Sequence, residues 1–413
     1  MAIQLSDVSN ALQKVIMPYI QDNFDKSTLL LDQLKRSKGT NFINNTFYAP
    51  IRSSRHGGIT NLADDGNSLV SGSSSLGQAS VNVKILTGTF DISKLTLDAT
   101  KTTKGAVENQ LTFQARTLAS DFSKDVNRQY FSDGVGVLSQ VASSVGAGTM
   151  AVAIPDSNLD DTRSVDWYGT INGDIAPAKY LQPGMVVGIG TAAADLGTVS
   201  SVSGNTVVMT GAPAIVAYDT VYRVDGSGEG AGTAEIQGMR AALSSSTGTA
   251  QYAGVARSTF GWTPQLGTTA EALTLSAIED KYLSALEWSQ MGDRFAIFMN
   301  KTLYKKYGDL LTAMRRTVNE TELIGGWKGL AFVAGRGEVG VYLDFDVPDG
   351  EVLIVNLDTW KILQVSEMGW LEDPSGALIR RRDAITYQAT MAWFTNLLCV
   401  APAANGRLTQ KTA

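Results

Sequence analysis

One cysteine and one histidine in 413 residues leave imidazole and thiolate chemistry almost nothing to work with. Zinc centres, Ser-His-Asp hydrolases and Cys-His nucleophiles draw on one or both side chains, so these classes are not expected. The histidine, His56, stands in a polar Arg/Gly stretch. The cysteine, Cys399, lies in the apolar run Trp393-Phe394-Thr395-Asn396-Leu397-Leu398-Cys399-Val400, where a plain buried thiol is the reading. A lone cysteine also forms no internal disulfide. Nowhere do roughly 18 apolar residues run uninterrupted, so no membrane-spanning helix is expected. Met1 to Asn10 has neither the basic cluster nor the apolar core of an export signal, and the expectation is a soluble, unexported chain with no membrane partner. Positive charge is not in excess either: the net charge is -6, which withholds the basic field of a free nucleic-acid binder.

What remains is an ordinary globular composition. With 44% hydrophobic and 18% charged residues, the chain can bury a large core, and its length corresponds to two or three domains. Along the chain, Ser6 and Asp7 can cap a first helix carrying Val8, Leu12, Val15 and Ile16, which Pro18 interrupts. Phe24, Leu29, Leu30, Leu31 and Leu34 follow as an apolar stripe that a thin arm cannot bury in itself, so it should dock on another surface. From Ala49 to Thr96 the chain reads as an extended loop with a flexible tip, since Gly or Ser fills nine of the fifteen positions 66 to 80. The run Val81 to Phe90 reads as the returning side of a long β-hairpin, and a two-stranded ribbon is marginal alone in water. Its stability should therefore come from a neighbouring subunit.

Lys104 to Phe131 is the clearest helix. Val107, Leu111, Ala115, Leu118, Phe122 and Val126 step by three or four, while Arg116, Lys124 and Arg128 intersperse with Asp121 and Asp125 on the remaining face. At 1.5 Å per residue it would be about 40 Å long. From Leu138 to Asp225 short strands dominate (Met185–Ile189, Val199–Val202, Thr206–Met209, Thr220–Val224), with a hairpin turn at Gly204-Asn205. This stretch is expected to be a small barrel or sandwich, with Gly226 to Gly232 as its exit linker. Beyond Thr233, Thr268 with Glu271 can form a capping box ahead of the helical face Leu275, Ile278, Tyr282 and Ala285. Phe295–Met299 reads as a strand, Asn300 as the cap of a helix through Leu303, Tyr307, Leu310 and Met314, and Arg315-Arg316 as complements to that helix's negative end. The tail alternates β segments at Val352–Asn356, Lys361–Ser366, Ala377–Arg382 and Ala384–Val400.

No catalytic, cofactor or metal residues are assigned. Gly188-Ile189-Gly190-Thr191-Ala192-Ala193 matches a dinucleotide fingerprint as a string, but the β-like run after it provides no helix for a pyrophosphate. Asp344, Asp346 and Asp349 are candidate ligands for a hard cation, although alternation with Leu343, Phe345 and Val347 points to a strand running into a Pro348-Asp349-Gly350 turn. Arg380-Arg381-Arg382 is the sharpest basic cluster, and three readings stand side by side: it faces an acidic neighbour, it faces nucleic acid, or it lies on a solvated or salt-bridged strand face. The glycosylation patterns at Asn44 and Asn319 carry no weight without an export signal.

An arm, a hairpin with a Gly/Ser tip, a girder helix and a mixed α/β region closing in β segments: this order resembles the tailed-bacteriophage major capsid proteins with the Hong Kong 97-type shell fold. The most telling residues are Lys104-Gly105-Ala106-Val107-Glu108-Asn109-Gln110, the Gly325-Gly326-Trp327-Lys328-Gly329-Leu330 turn, and the ending from Met368-Gly369-Trp370-Leu371 through Ala404-Asn405-Gly406. The resemblance implies an α+β chain divided into an N-terminal arm (1–48), an extended loop (49–97), a spine helix and peripheral domain (98–137), an inserted β domain (138–233), an axial domain (234–360) and a return to the peripheral domain (361–413). It also implies a non-enzymatic subunit, assembled in the bacterial cytoplasm as hexamers and pentamers into an icosahedral virion shell. A mildly acidic wall suits a container that encloses double-stranded DNA without gripping it.

Inter-subunit contact is then expected at Leu29, Leu30 and Leu34 of the arm and at Arg52, Arg55, Asp64, Asp65, Gly66, Gly72 and Lys84 of the loop. The short arm implies a separate scaffold protein, with a portal and a decoration protein as further partners. Some relatives cross-link a loop lysine to a neighbour's asparagine, and Lys84 and Lys94 lie in that region without an assignable partner. Three other readings remain open: an encapsulin-type compartment, a phage tail or baseplate protein, and a carboxylate-based polysaccharide hydrolase, which would need two carboxyls converging in a cleft.

Overall fold

The computed structural model describes residues 34–38, 42–59, 61, 71–96, 110–134, 136–146, 149–153, 179–189, 196–204, 206–211, 220–224, 235–244, 251–290, 292–313, 321–323, 327–334, 337–371, 378–381 and 385–413. The first helix, the Phe24–Leu31 stripe, the exit linker, the glycosylation pattern at Asn319, and Arg315-Arg316 lie outside these residues.

Two sheets form the body. In the first, the 14-residue strand Thr386–Cys399 pairs with Trp360–Gln364, Gly369–Trp370, Ile379–Arg380 and, over ten residue pairs, with Lys84–Ser93; Lys35–Lys38 adds a parallel edge strand beside Trp360–Gln364. The second sheet has seven strands, centred on Phe295–Met299 between Val352–Asn356 and Gly337–Leu343. Phe-Ala-Ile-Phe-Met lacks the alternation of a one-sided strand because both of its faces are covered. Phe295, Ile297 and Met299 enter a core with the helices Leu275–Glu287 and Lys301–Ala313, while Ala296 and Phe298 face the main core shared with the first sheet.

Asn405 ties the two sheets together. Its Oδ1 accepts from the Asn356 backbone N–H (2.8 Å) and the Trp360 indole (2.9 Å), and its amide donates to Thr359 Oγ1 and the Ala401 carbonyl, both at 3.0 Å. Cys399 is wholly buried beside it, and burial pushes its thiol up to about 12, so the plain-thiol reading stands. A second buried knot is the carboxylate of Glu351, held by Arg240 (2.9 Å) and Arg407 (2.5 Å); burial alone would raise Glu351, but the two guanidiniums outweigh it and keep its pKa lowered.

The spine helix runs from Gln110 to Phe131, about 33 Å. Its first half buries one face through Ala115, Ala119 and Phe122 against Lys84–Ser93, where Gly88 lets Leu118 approach. From Val126 onward it is buried all round, Arg128 included, although helical spacing sets that residue off the apolar face. Arg128 grips Glu235 through both terminal guanidinium nitrogens and reaches Asp125 at 3.1 Å. Arg223 also ion-pairs with Asp125, the Gln129 amide donates to it at 2.8 Å, and the Gln129 side-chain carbonyl accepts from the Ile236 N–H at 3.1 Å. Burial alone would raise Asp125, but Arg128 and Arg223 outweigh it and hold its pKa below the ordinary value.

Six strands between Val137 and Arg223 close into a barrel around Leu138, Val141, Met150, Val187, Ile189, Val199, Val207, Met209 and Val221. Gly188 sits in one of them, so the fingerprint string begins on a barrel strand; a Cβ there would lie 2.2 Å from the Tyr222 ring, which is why this position is glycine. The barrel's entry and exit lie side by side, joined by the Arg223 N–H to Gly136 carbonyl bond (2.8 Å). Arg223, Lys179 and Tyr180 bind the barrel to the body: Lys179 reaches Asp346 at 2.8 Å and Tyr180 donates to it at 3.0 Å.

Two local expectations are corrected. Thr268 and Glu271 form no capping box: Glu271–Ala272 pairs as a strand with Lys411–Thr412, and Thr274 caps the helix by accepting from the Ala277 N–H at 3.2 Å. The strand expected through Phe345 and Val347 stops at Leu343, and Asp344 and Asp346 turn inward to share the Asn127 amide (3.2 and 2.8 Å). Asp349 is spent on Asn300 at 2.6 Å, away from that pair, while Asn300 caps its helix as expected by accepting from the Leu303 N–H at 3.0 Å.

Gly188→Ala should cost about 1–3 kcal/mol in denaturant unfolding by overpacking the barrel, with Tyr222→Leu in the same chain restoring most of it. Burial, seconded by the Asp346 charge, pushes Asp344 from 3.8 up to about 6, so its contribution is full below pH 4 and lost as pH rises through 6. Asp344→Asn should therefore stabilise the protein by about 3 kcal/mol at pH 7 and by less than about 1 kcal/mol at pH 4, read as the shift in denaturant midpoint.

Candidate assembly surface

The hairpin starts with seven antiparallel residue pairs between Thr46–Arg52 and Leu76–Asn82. Its inward residues Phe47, Ile51, Ala79 and Val81 are buried, and the Ser80 N–H donates to the Ala253 carbonyl at 2.8 Å. This corrects the idea of a ribbon without interior. The returning chain also does not continue the hairpin: after Val83 it becomes Lys84–Ser93 and joins the chain's own first sheet, burying Leu86, Phe90 and Ile92.

Past Arg52 and Leu76 the character changes. Hydroxyls of Ser53, Ser54 and Ser75 link the two sides at 2.8–2.9 Å, and beyond them the backbones of Gly57–Gly58 and Gly72 press together so closely that a Cβ on Gly72 would lie 2.1 Å from the Gly58 nitrogen. Among the described residues 53–59 and 71–76 no side chain is fully buried. Ile59 and Leu76 are 85% and 80% exposed, a cost in water that a covering surface would remove. At the other end of the long sheet Leu95 and Ile385 are likewise bare, brought together by the Lys94 N–H to Ile385 carbonyl bond (3.1 Å). Phe113 projects half-exposed from the spine helix.

The expected contact residues separate accordingly. Arg52 is exposed and donates to the Ser54 carbonyl at 3.0 Å, and Arg55 lies over the Phe260 ring at 5.3 Å. Gly72 is at the glycine crossing. Leu34, by contrast, is 5% exposed within the chain's own core, so it is corrected from a contact residue to a core residue. Lys84 is half-buried opposite Thr395, and burial lowers its pKa. Asp64, Asp65, Gly66, Leu29 and Leu30 lie outside the described residues. Of the basic triplet, Arg381 is paired with Asp91 at 2.9 Å, Arg380 is exposed, and Arg382 lies outside the described residues. Sequence reasoning missed the bare pair Leu95 and Ile385, which only the distant pairing of Ser93 with Thr386 brings together.

Among the described residues no three His, Cys, Asp or Glu side chains are placed to hold a metal ion, and no helix is long and apolar enough to cross a membrane. Asp344 and Asp346 do converge, but on Asn127, Lys179 and Tyr180 of the same chain, so their oxygens serve the junction of barrel and body.

No protein-family model and no curated protein matches the chain. Solved structures do. A chain of the cyanophage A-1(L) capsid asymmetric unit superposes with a TM-score of 0.53 at 11% identity, covering 94% of this chain and 93% of that one. Mycobacterium phage Bobi (0.46, 8% identity, 94% and 91% covered) and the holo-SrpI encapsulin of Synechococcus elongatus PCC 7942 (0.43, 8%, 92% and 86%) also align; below 0.5 they add nothing to the fold assignment. End to end, with its two sheets, spine helix and hairpin, the chain has the α+β fold of a phage capsid subunit.

Proposed function

We propose that this protein is the major capsid protein of a tailed bacteriophage, building an icosahedral shell from hexamers and pentamers around double-stranded DNA. The observation that carries the proposal is the likeness to a subunit of the cyanophage capsid, which extends over 94% of this chain and 93% of that one. The exposed apolar residues supply its physical means. A hairpin anchored at its base and bare at Ile59 and Leu76 is built to lie across a sister copy. Standard interfaces bury roughly 1,600 Å², and several per subunit give avidity even where each is weak.

In this reading of the Hong Kong 97-type divisions, the hairpin is the extended loop, Gln110–Phe131 the spine, the seven-stranded sheet the axial domain, and the barrel an extra domain on the outer face. Scaffold, portal and decoration proteins would be its partners, in a virion assembled in the host cytoplasm.

Electron microscopy of the purified protein, alone and with a candidate scaffold, decides the matter. Closed shells are the expected product; tubes, rings or nothing but monomers overturn the reading, and shells loaded with protein in place of DNA would make it a cargo compartment. Ile59→Asp with Leu76→Asp should abolish shells while shifting the monomer's unfolding by no more than about 0.5 kcal/mol, because neither side chain touches the core.

A further inference from the structure

Between the base of the hairpin and the end of the first sheet lies a groove of about 310 Å³. Its apolar wall includes Ile51, Phe260, Trp288 and Val400, with Phe260 and Trp288 edge to face at 5.1 Å and both only partly buried. Two cations, Arg52 and Lys361, line it as well, and neither is ion-paired among the described residues.

The direction of the edge strand says what reaches this groove. Lys35–Lys38 runs parallel to Trp360–Gln364 with Lys35 beside Lys361, while Trp360 faces Cys399 across the next pair of strands. The N-terminal end of this edge strand therefore lies at the Lys361 and Val400 end of the sheet, and both of those residues line the groove. The composition of the chain preceding Leu34 fits: Phe24, Leu29, Leu30 and Leu31 are apolar, and Asp22, Asp25 and Asp32 outnumber the single Lys26. An acidic, leucine-rich segment thus ends beside an apolar groove rimmed by cations. Five residues back from Leu34 span up to about 17 Å, enough to lay the leucines along it.

We propose that residues 24–33 occupy this groove in the same chain, so that the arm braces the base of its own hairpin. Burying three leucines against Trp288 and Phe260 removes apolar surface from water on both sides, and the aspartates meet Arg52 and Lys361 at a partly desolvated rim. The proposal does not rest on shell formation, because it is tested on the unassembled subunit.

The test uses the full chain carrying Leu30→Cys with Gln290→Cys, a groove-lining exposed position, under mild oxidation at low concentration. The native Cys399 is wholly buried and does not compete. An intramolecular disulfide by mass spectrometry is expected, and none when Gln290→Cys is replaced by Lys305→Cys on the exposed side of a helix. Disulfide-linked dimers would overturn the proposal in favour of a second copy's arm, and absence of any cross-link would overturn it outright. As a second readout, amide exchange of residues 24–33 should be slowed in the parent and accelerate at least about tenfold in Trp288→Glu. Fast exchange in the parent, or unchanged exchange in the variant, would equally overturn it.

Discussion

Everything in the body hangs on the strand Thr386–Cys399. It hydrogen-bonds to Lys84–Ser93 on one side and to Trp360–Gln364, Gly369–Trp370 and Ile379–Arg380 on the other, and its Asn396 amide donates to the Asn82 carbonyl at 2.6 Å. The spine helix packs onto Lys84–Ser93, the hairpin grows from the residues just before it, and the arm's edge strand enters beside Trp360–Gln364. Remove this strand and four others lose their ladder partner, leaving unpaired backbone groups in the interior. The second sheet depends on it less directly, through the Asn405 side chain that accepts from a strand of each sheet.

The polar knots divide the work differently. Apolar burial fills the three cores, but the orientation of barrel to body is set by charges: Arg128 between Asp125 and Glu235, with Arg223 and Lys179 reaching across. A buried ion pair adds little net stability over a hydrophobic substitute, yet it accepts only one geometry, since any slip leaves a charge unpaired in the interior. These pairs therefore hold the barrel in one orientation on the body.

Much of the architecture is legible from residue order alone. The apolar steps from Leu111 to Val126 announce the spine helix, Phe295–Met299 announces a strand covered on both faces, and the short β segments between Val186 and Arg223 announce the barrel. The failures have one cause, which is pairing between residues far apart in the chain. Nothing local in Val81–Phe90 says that its second half leaves the hairpin at Val83 to meet residues near 390. Likewise Asp125 and Arg128 occupy positions that helical periodicity assigns to solvent, and only the return of the chain at Glu235 and Arg223 encloses them. Thr268 and Glu271 have capping-box spacing, yet the C-terminal Lys411 claims Glu271 as a strand neighbour and ion pair at 2.7 Å.

The ladder between Lys84–Ser93 and Thr386–Thr395 also sets a timetable for synthesis. Its two halves lie about 300 residues apart, and a ribosome adds roughly 5–20 residues per second. The earlier strand is therefore made about 15–60 s before its mate exists, and during that interval it presents an open edge to every nascent neighbour on the same message. The first sheet therefore cannot be completed from the front of the chain: its long ladder closes only once Thr386–Thr395 has emerged, and a product truncated before that strand keeps the edge of Lys84–Ser93 open.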